Sequence, residues 1–236
     1  MIHMISSQLS TLNSPLCLKV SDNAEKGWYF CMIAIIDYGV GNLYSISHSL
    51  SYLGMENMVT RDEETILNAD KLILPGVGAF GDARQKLRDT GMDRLVLQKA
   101  KTGTPLLGIC LGMQLLFEKS HEYGEHAGLC LIPGEICPLR ADIPADLKVP
   151  HIGWNALRFT GESPLLKYIR EGDSVYYVHS FYAKFAGDAV KAVSEYSVDV
   201  PGLVQNGNVF GAQFHPEKSG PVGLNILRAF GEVGAC

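Results

Sequence analysis

The sequence lacks long apolar runs, an excess of basic residues and closely paired cysteines. No stretch of its 236 residues approaches the ~18 consecutive apolar residues of a membrane-spanning helix, so we expect no membrane segment. The formal net charge of -5 argues against a nucleic-acid-binding groove. The six cysteines have no paired short spacing, which predicts neither a zinc site nor a disulfide framework and indicates a reducing cytoplasm. No other cluster has metal-ligand spacing, and we expect neither a metal nor a cofactor.

The residues that are present suit one globular domain preceded by an unrelated segment. Hydrophobic residues make up 47% of the chain, which is enough for a sizeable core. Residues 1–31 have no clear periodicity and few charges, whereas Met32 opens an apolar strand. We therefore expect residues 1–31 to form an N-terminal extension outside the core and residues 32–236 to form a single domain.

Strand-like apolar runs alternate with helical patterns across the first half of this domain. Leu43, Ile46 and Leu50 have helical spacing between two such runs, and Gly54 follows as a stop signal. Such alternation predicts an α/β fold with a central, mostly parallel sheet flanked by helices. The expected strands are residues 32–37, 58–59, 71–75 and 106–109, then, after irregular chain at 129–139 and a loop at 150–155, strands at 156–159, 174–183, 189–196 and 209–214, with helices at 163–170 and 221–230.

Residues 106–117 have the pattern of a nucleophile elbow. An apolar strand ends at Ile109, Cys110 stands at the corner, and helical spacing resumes after it. Gly108 and Gly112 flank the cysteine where larger side chains would clash across a sharp turn. A helix N-terminus favours a thiolate, and its free N–H groups can stabilise an oxyanion. A packed core thiol is the competing interpretation, and the elbow alone leaves both open.

A histidine and a glutamate follow the last predicted strand. A cysteine nucleophile needs a base that holds it as thiolate and later protonates the leaving amine, and histidine suits that role near neutral pH. His215 would be this base, and Glu217 would fix its tautomer and stabilise the imidazolium. The two can lie side by side if the chain stays extended, and Pro216 disfavours a helical His215. The alternative is a solvated surface turn.

Residues 76–81 follow the third predicted strand and match the pattern Gly-x-Gly-x-x-Gly. A dinucleotide site is disfavoured, because the next strand ends in Cys110 rather than in the acidic residue that would bind a ribose hydroxyl. Two interpretations stay open. The segment is either an ordinary strand-to-helix turn or a loop whose N–H groups near Gly78 join the Leu111 N–H in an oxyanion hole.

Periodicity also leaves the role of Gln114 open. It lies four residues after Cys110, so the two side chains can share a helix face. An amide among leucines is either a substrate contact or a surface residue of an amphipathic helix.

Several motifs together give the chain a specific resemblance. Gly-Ile-Cys-Leu-Gly-Met-Gln at 108–114 and His-Pro-Glu at 215–217 resemble the triad, or class I, glutamine amidotransferases. Within these, the stretches 36–43, 74–80, 150–155, 177–182 and 213–219 look like the glutaminase subunits of imidazole glycerol phosphate synthase. The resemblance runs from Met32 to about Phe230 and leaves out residues 1–31.

The resemblance implies a role for each matching residue. Cys110 would attack the side-chain amide of L-glutamine, His215 would shuttle the proton, and Glu217 would orient the histidine. The oxyanion hole would use the backbone of Val77, Gly78 and Leu111. The residues implied to hold glutamine are Gly78, Gln114, His179, Ser180 and Phe181.

The resemblance also implies a partner. Ammonia is mostly protonated in neutral water and cannot act as a nucleophile there, so it must be delivered inside protein. The family partner is a (β/α)8-barrel cyclase subunit, which makes imidazole glycerol phosphate and an aminoimidazole carboxamide ribonucleotide in a heterodimer. The residues expected at that interface are Asn42, Trp154, Tyr177 and Lys218, although Trp154 can also be a half-buried core residue.

Three other functions remain as alternatives. The first is a hydrolase of the same fold that acts on amides without a partner. The second is a non-catalytic binding module that has kept the fold, and the third is dinucleotide binding at residues 76–81. The intact set of cysteine, histidine and glutamate argues against the binding module.

Overall fold

The computed structural model of the protein describes residues 31–234. The expectation for residues 1–31 therefore lies outside the described residues, except at Cys31. Cys31 is disulfide-bonded, which the cysteine spacing did not predict. Within the described range, no helix has the length and apolar character that crossing a membrane requires.

Strands alternate with helices through the first half of the described chain, and the second half is mostly strand. In chain order the elements are β1 (Ile33–Ile36), α1 (Leu43–Tyr52), β2 (Asn57–Thr60), α2 (Glu63–Asn68), β3 (Lys71–Leu74), α3 (Phe80–Asp89), α4 (Met92–Lys101), β4 (Leu106–Ile109), α5 (Leu111–Leu115), β5 (Lys119–Ser120), β6 (His126–Ala127), β7 (Glu135–Pro138), β8 (His151–Ala156), β9 (Arg158–Phe159), β10 (Ser174–His179), β11 (Phe181–Lys184), β12 (Val190–Glu195), β13 (Asp199–Asn206), β14 (Val209–Ala212) and α6 (Gly220–Gly231), with short 3-10 helices at Leu139–Ala141, Pro164–Leu166, Gly187–Ala189 and Pro216–Lys218.

The central sheet has eight strands in the order β2-β1-β3-β4-β14-β13-β12-β9. The strands from β2 to β14 run parallel to their neighbours, and β13, β12 and β9 continue the sheet in antiparallel fashion. This confirms the predicted α/β fold with a mostly parallel central sheet. β4 and β14 lie side by side, with Ile109 opposite Ala212, so both strands end at the same edge.

Both faces of β1, β3, β4 and β14 are buried, which explains why these strands are mostly apolar rather than alternating, whereas the edge strand β2 exposes Met58 and Val59. In β1, Ile33 and Ile35 point to the face that α1 and α6 cover. Ala34 and Ile36 point to the opposite face, where helices α2 to α5 pack. The helices therefore form two layers, one on each face of the sheet.

The prediction of a loop at 150–155 is wrong. His151–Ala156 is strand β8, which pairs with β10 as a separate antiparallel ribbon and places His151 opposite His179. Every second residue of β8 is exposed, so the period of two that marks a half-buried strand is present. The period is inverted, because the apolar residues Ile152, Trp154 and Ala156 are the exposed ones, and this hides the strand in the sequence.

Two further differences concern strand boundaries. The strand predicted at 174–183 breaks at Ser180 into β10 and β11, which belong to different sheets. The eight-residue strand β13 was not predicted, because Pro201 and Gly202 within it are normally strand breakers. The break at Ser180 turns the chain across the edge at which β4 and β14 end.

Candidate active site

The cysteine lies at a strained corner between β4 and α5. Cys110 has φ 54° and ψ -112°, a conformation that L-residues with a side chain rarely adopt. Its N–H donates to the Ala212 carbonyl oxygen at 2.7 Å, which ties the corner to β14. A Cβ atom at Gly112 would overlap the Leu74 carbonyl oxygen, and one at Gly108 would lie 2.7 Å from the Gly112 oxygen. The glycines are therefore required by the close packing of the elbow.

A histidine and a carboxylate lie at the end of the neighbouring strand. The His215 N–H donates to the Tyr176 carbonyl oxygen at 2.9 Å, and the His215 carbonyl accepts from the Ser219 hydroxyl at 2.7 Å. The ring atom Nδ1 lies 2.8 Å from Glu217 Oε1. His215 is extended, as expected, but Pro216–Lys218 is a 3-10 turn rather than extended chain. This turn brings Glu217 back beside the imidazole.

The environment of His215 favours its charged form. Burial opposes the charge, but the hydrogen bonds to Cys110 and Glu217 prevail and raise the pKa of His215 to about 9. The side chains of His215 and Glu217 are 4% and 0% exposed. The second carboxylate oxygen, Glu217 Oε2, is buried without a hydrogen-bond partner in the described part of the chain. Below about pH 9 the ring therefore carries a proton that it can give to a leaving amine.

A cavity of about 350 Å³ lies beside the Cys110 thiol. Its walls include every residue predicted to bind glutamine and every residue predicted for the oxyanion hole. Three further residues, Glu122, Pro150 and Val178, were not predicted. The full lining is Val77, Gly78, Cys110, Leu111, Gln114, Glu122, Pro150, Val178, His179, Ser180 and Phe181.

Backbone N–H groups near the thiol can stabilise an oxyanion. The first hydrogen bond of α5 runs from the Gln114 N–H to the Cys110 oxygen at 3.1 Å, so the helix itself does not use the Leu111 N–H. Gly78 has φ 92°, which a residue with a side chain adopts only under strain. Helix α5 has only five residues and adds little dipole, so the stabilisation expected at this helix start comes from individual N–H groups.

The glycine segment at 76–81 supports the elbow directly. A Cβ atom at Gly76 would lie 2.5 Å from the Gly112 nitrogen, so this glycine allows two backbones to pack together. Val77 and Gly78 then form one wall of the pocket. The close approach that the pattern indicates is thus made by Gly76 to the elbow rather than to a pyrophosphate.

Gln114 is buried and points toward the thiol site rather than to the surface. Its Nε2 donates to the Phe181 carbonyl oxygen and to Gln213 Oε1, each at 3.0 Å. Both amide hydrogens are therefore occupied, and only Oε1 remains to accept a hydrogen bond from a ligand. Gln213 Nε2 in turn lies 3.9 Å from Cys110 Sγ. The two amides link the pocket wall to the nucleophile.

Glu122 is a functional candidate that the sequence reasoning missed. It is buried, it lines the pocket, and its Oε2 accepts a hydrogen bond from the Phe80 N–H at 2.7 Å. Burial raises the pKa of this carboxyl group, although the Phe80 hydrogen bond opposes the shift. No local motif marks the residue, because it follows the short strand β5 in an irregular turn.

The predicted interface residues are exposed or half-buried, with one exception. Trp154 is 58% exposed, Lys218 is exposed and Asn42 is half-buried. Tyr177 is fully buried and its hydroxyl lies 2.9 Å from Ser194 Oγ, so its side chain cannot reach a partner and that prediction is corrected. Because side chains alternate along β10, the preceding residue, Tyr176, packs against Trp154 with ring centroids 6.0 Å apart.

One cluster outside the pocket brings together residue types that bind metals. Ligand atoms of His121, Glu135 and Cys137 lie within 4.8 Å of one another, an arrangement that the spacing analysis did not predict. His121 Nε2 already lies 2.7 Å from Glu135 Oε2, and the Lys119 ammonium lies 3.2 Å from the other oxygen of that carboxylate. The carboxylate charge is thus already paired, and we assign no metal to this cluster.

Comparison with known proteins places this architecture in one class. A family model described as glutamine amidotransferase class-I matches residues 34–232. In fold, the chain resembles PurLQS from Thermotoga maritima, with a TM-score of 0.65 at 19% identity, over 86% of this chain and 98% of that chain. Because the family match covers most of the chain, the chain belongs to the class-I glutamine amidotransferases.

Curated relatives narrow the family further. Imidazole glycerol phosphate synthase subunit HisH from Bacillus cereus (strain G9842) is 52% identical over 199 residues, covering 84% of this chain and 93% of the relative. The subunit of the same name from Listeria monocytogenes serotype 4a (strain HCC23) is 48% identical over 202 residues, covering 86% and 96%. Within the class, the chain belongs to the family of HisH subunits.

Proposed function

We propose that Cys110, His215 and Glu217 hydrolyse L-glutamine in this chain, which is the glutaminase subunit of imidazole glycerol phosphate synthase in histidine biosynthesis. The main support is the convergence of these three side chains beside a cavity of about 350 Å³. The HisH relatives at about 50% identity support the assignment to this synthase.

Glutamine would lie with its side-chain amide at Cys110 and its amino-acid end at the far wall of the cavity. Glu122 carries the only carboxylate among the lining residues, so it would bind the α-ammonium group. Gln114 Oε1 would accept a second hydrogen bond from the substrate. Gly78, His179, Ser180 and Phe181 would enclose the substrate mainly with their backbone.

The first half of the reaction would form a thioester. The Cys110 sulfur attacks the amide carbon, and the carbonyl oxygen becomes an oxyanion bound by the N–H groups of Leu111 and the 77–78 loop. The charged His215 gives its proton to the departing nitrogen, the carbon–nitrogen bond breaks, and ammonia leaves. Glu217 keeps the imidazole oriented through Nδ1 and stabilises its charge.

The second half would release glutamate. His215, now neutral, removes a proton from a water molecule that attacks the thioester carbon. The same oxyanion contacts stabilise the second tetrahedral intermediate, and its collapse expels the Cys110 sulfur with the electron pair of the carbon–sulfur bond. Glutamate dissociates and His215 is charged again, so the cycle consumes one water molecule per glutamine.

The ammonia would pass to a (β/α)8-barrel cyclase subunit bound at an exposed surface near the site. Trp154 and Ile152 are 58% and 59% exposed on the same face of β8, and a Cβ atom at Gly220 would lie 3.9 Å from the Trp154 ring. The Trp154 ring therefore lies beside Gly220, which follows Lys218 by two residues in the sequence. Helix α1, which follows Asn42, packs against the same 216–218 turn. We propose Asn42, Trp154, Lys218 and Tyr176 as interface residues.

We also propose where the functional domain begins and where in the cell the chain works. The family match at 34–232 and the start of β1 at Ile33 support a functional domain that begins near Met32. Residues 1–31 would then be dispensable for catalysis. We also propose that the chain works in the cytoplasm, where its substrate and partner would be made.

Glutamine hydrolysis measured with and without the cyclase subunit and its nucleotide ligand tests this function. We expect strong stimulation by the partner, because an amidotransferase that ran alone would waste glutamine. High hydrolysis that the cyclase does not change would indicate a stand-alone hydrolase instead. Failure of a glutamine-like chloroketone to label Cys110 would indicate a non-catalytic binding module.

A further inference from the structure

We infer that His151 is a positioning residue for glutamine: it fixes the tautomer of His179 and so holds the Phe181 carbonyl that shapes the pocket wall. This inference rests on the proposed function, because it concerns the pocket that glutamine would occupy. It assigns a role to a buried side chain that the mechanism does not use.

The hydrogen-bond directions follow from one carbonyl group. His179 Nδ1 lies 2.9 Å from the Phe181 carbonyl oxygen, which can only accept, so Nδ1 carries the proton. A neutral imidazole has one proton, and His179 Nε2 is therefore an acceptor. His151 Nδ1 lies 3.0 Å from that acceptor, so His151 must also carry its proton on Nδ1. The tautomers of both rings are thus determined by the geometry.

The hydrogen bonds on the outer side of His151, away from the pocket, agree with this assignment. His151 Nε2 is left as an acceptor, and Asn155 Nδ2 lies 3.4 Å away. The orientation of the Asn155 amide is fixed independently, since its Nδ2 donates to the Glu195 oxygen at 2.8 Å and its Oδ1 accepts from the Ala156 N–H at 2.9 Å. Each donor in this series therefore donates toward the pocket, from Asn155 to His151, from His151 to His179, and from His179 to the Phe181 carbonyl oxygen.

Burial keeps both rings neutral, as the assignment requires. His151 and His179 are 3% and 6% exposed. Burial lowers the pKa of His151 to about 4, and burial together with the neighbouring His151 lowers the pKa of His179 to about 3. The His151 ring is also stacked between Tyr177 and Tyr196, with centroids 4.8 Å and 4.1 Å away. The ring is thus held in place by packing and by hydrogen bonds.

Loss of the His151 donor would change the pocket wall. The Phe181 oxygen accepts from both His179 Nδ1 and Gln114 Nε2, and this pair of bonds holds the turn at 179–181. Without a donor at His151, His179 Nε2 becomes an unpaired buried acceptor. If the His179 proton moved to Nε2, the Nδ1 lone pair would face the Phe181 oxygen and repel it. Either result displaces residues that line the cavity.

Two substitutions at His151 distinguish the effect of its hydrogen-bond donor from the effect of its stacked ring. In His151→Asn, the amide nitrogen can stand where ring Nδ1 stands, but the stacked ring is lost. In His151→Phe, the stacked ring is kept and the donor is lost. Each full-length variant is treated with a glutamine-like chloroketone, which must occupy the pocket, or with iodoacetamide, which reports only the thiol. Peptide mass spectrometry measures labelling at Cys110, and thermal unfolding checks the fold.

We expect chloroketone labelling of His151→Phe to be at least about tenfold slower than wild type, the effect of one unpaired buried acceptor, with iodoacetamide labelling nearly unchanged. His151→Asn should stay within about threefold of wild type with both reagents. Fast labelling of the Phe variant and slow labelling of the Asn variant would overturn the inference in favour of packing alone. Equal slowing with both reagents would overturn it as well. A wild-type Cys110 that the chloroketone does not label would overturn the proposed function itself.

A spectroscopic measurement on the wild-type chain is independent of how the variants fold. Long-range proton–nitrogen correlation spectra distinguish the two neutral tautomers of histidine. We expect both His151 and His179 to be neutral at pH 7 with the proton on Nδ1. A proton on Nε2 of either ring would overturn the inference.

Discussion

Replacing Glu217 with glutamine tests how strongly this carboxylate holds His215 in its charged form. Burial disfavours the charge, yet Cys110 and Glu217 together raise the pKa from the ordinary value of 6.5 to about 9. The difference between these values corresponds to about 3 kcal/mol, which is the net effect of burial, Cys110 and Glu217 on the charged ring. Because the folded pKa lies above the unfolded one, this stabilisation is complete below about pH 6.5 and is lost as the pH rises toward 9.

Urea unfolding of the wild type and of Glu217→Gln, between about pH 6 and 9.5, measures this contribution. The amide keeps an acceptor for His215 Nδ1, so any change in unfolding free energy that comes from the packing of the new side chain is the same at every pH. We expect the free-energy difference to be largest at pH 6 and to shrink by about 1–3 kcal/mol toward pH 9.5. Glu232→Gln is the control, because it removes an exposed carboxylate 2.6 Å from Lys167, which does not titrate in this range. A difference for Glu217→Gln that stays constant over the range would refute the reasoning.

Three further predictions concern the elbow, the substrate and the partner. Gly112→Ala should lower the free energy of unfolding by at least about 2 kcal/mol in urea, because the added methyl overlaps the Leu74 carbonyl oxygen. Gly161→Ala is the control and should cost less than about 0.5 kcal/mol, because its methyl meets a flexible lysine side chain at 3.3 Å and the Val190 oxygen at an ordinary contact distance of 3.6 Å. Glu122→Gln should raise the KM for glutamine at least about tenfold with little change in kcat, since the amide still accepts from Phe80 but no longer attracts an ammonium; a matching fall in kcat at unchanged KM would contradict the role. Trp154→Ala should weaken binding to the cyclase subunit at least about tenfold by calorimetry while chloroketone labelling of Cys110 is unchanged, and Tyr52→Ala, at a residue 74% exposed on α1, should change neither.

The fold and the three central side chains were predictable because their signals are local. Cys110 directly follows β4, and His215 follows β14 after two residues, so an apolar run followed by a polar residue marks each position. Parallel neighbours end at the same edge of a sheet, which brings the two together once both strands are recognised. The flanking glycines carry their own steric explanation.

The remaining parts of the site depend on tertiary packing that no local pattern reveals. Tyr177 and Tyr176 are adjacent tyrosines, and only the pairing of β8 with β10 decides which one is buried. Glu122 follows a two-residue strand and becomes a pocket residue because α3 begins beside it, where the Phe80 N–H needs an acceptor. Strand β13 carries a proline and a glycine and forms because strands on both sides pair with it.

The central claim is that Cys110 breaks the amide of glutamine and that another subunit uses the ammonia. The Cys110→Ala variant, assembled with the cyclase subunit, tests it most directly through product formation from glutamine or from added ammonium salt. We predict that synthesis from glutamine is abolished and that synthesis from ammonia continues at the wild-type rate. Continued synthesis from glutamine, or the loss of both activities in a variant that still binds the cyclase, would contradict the account.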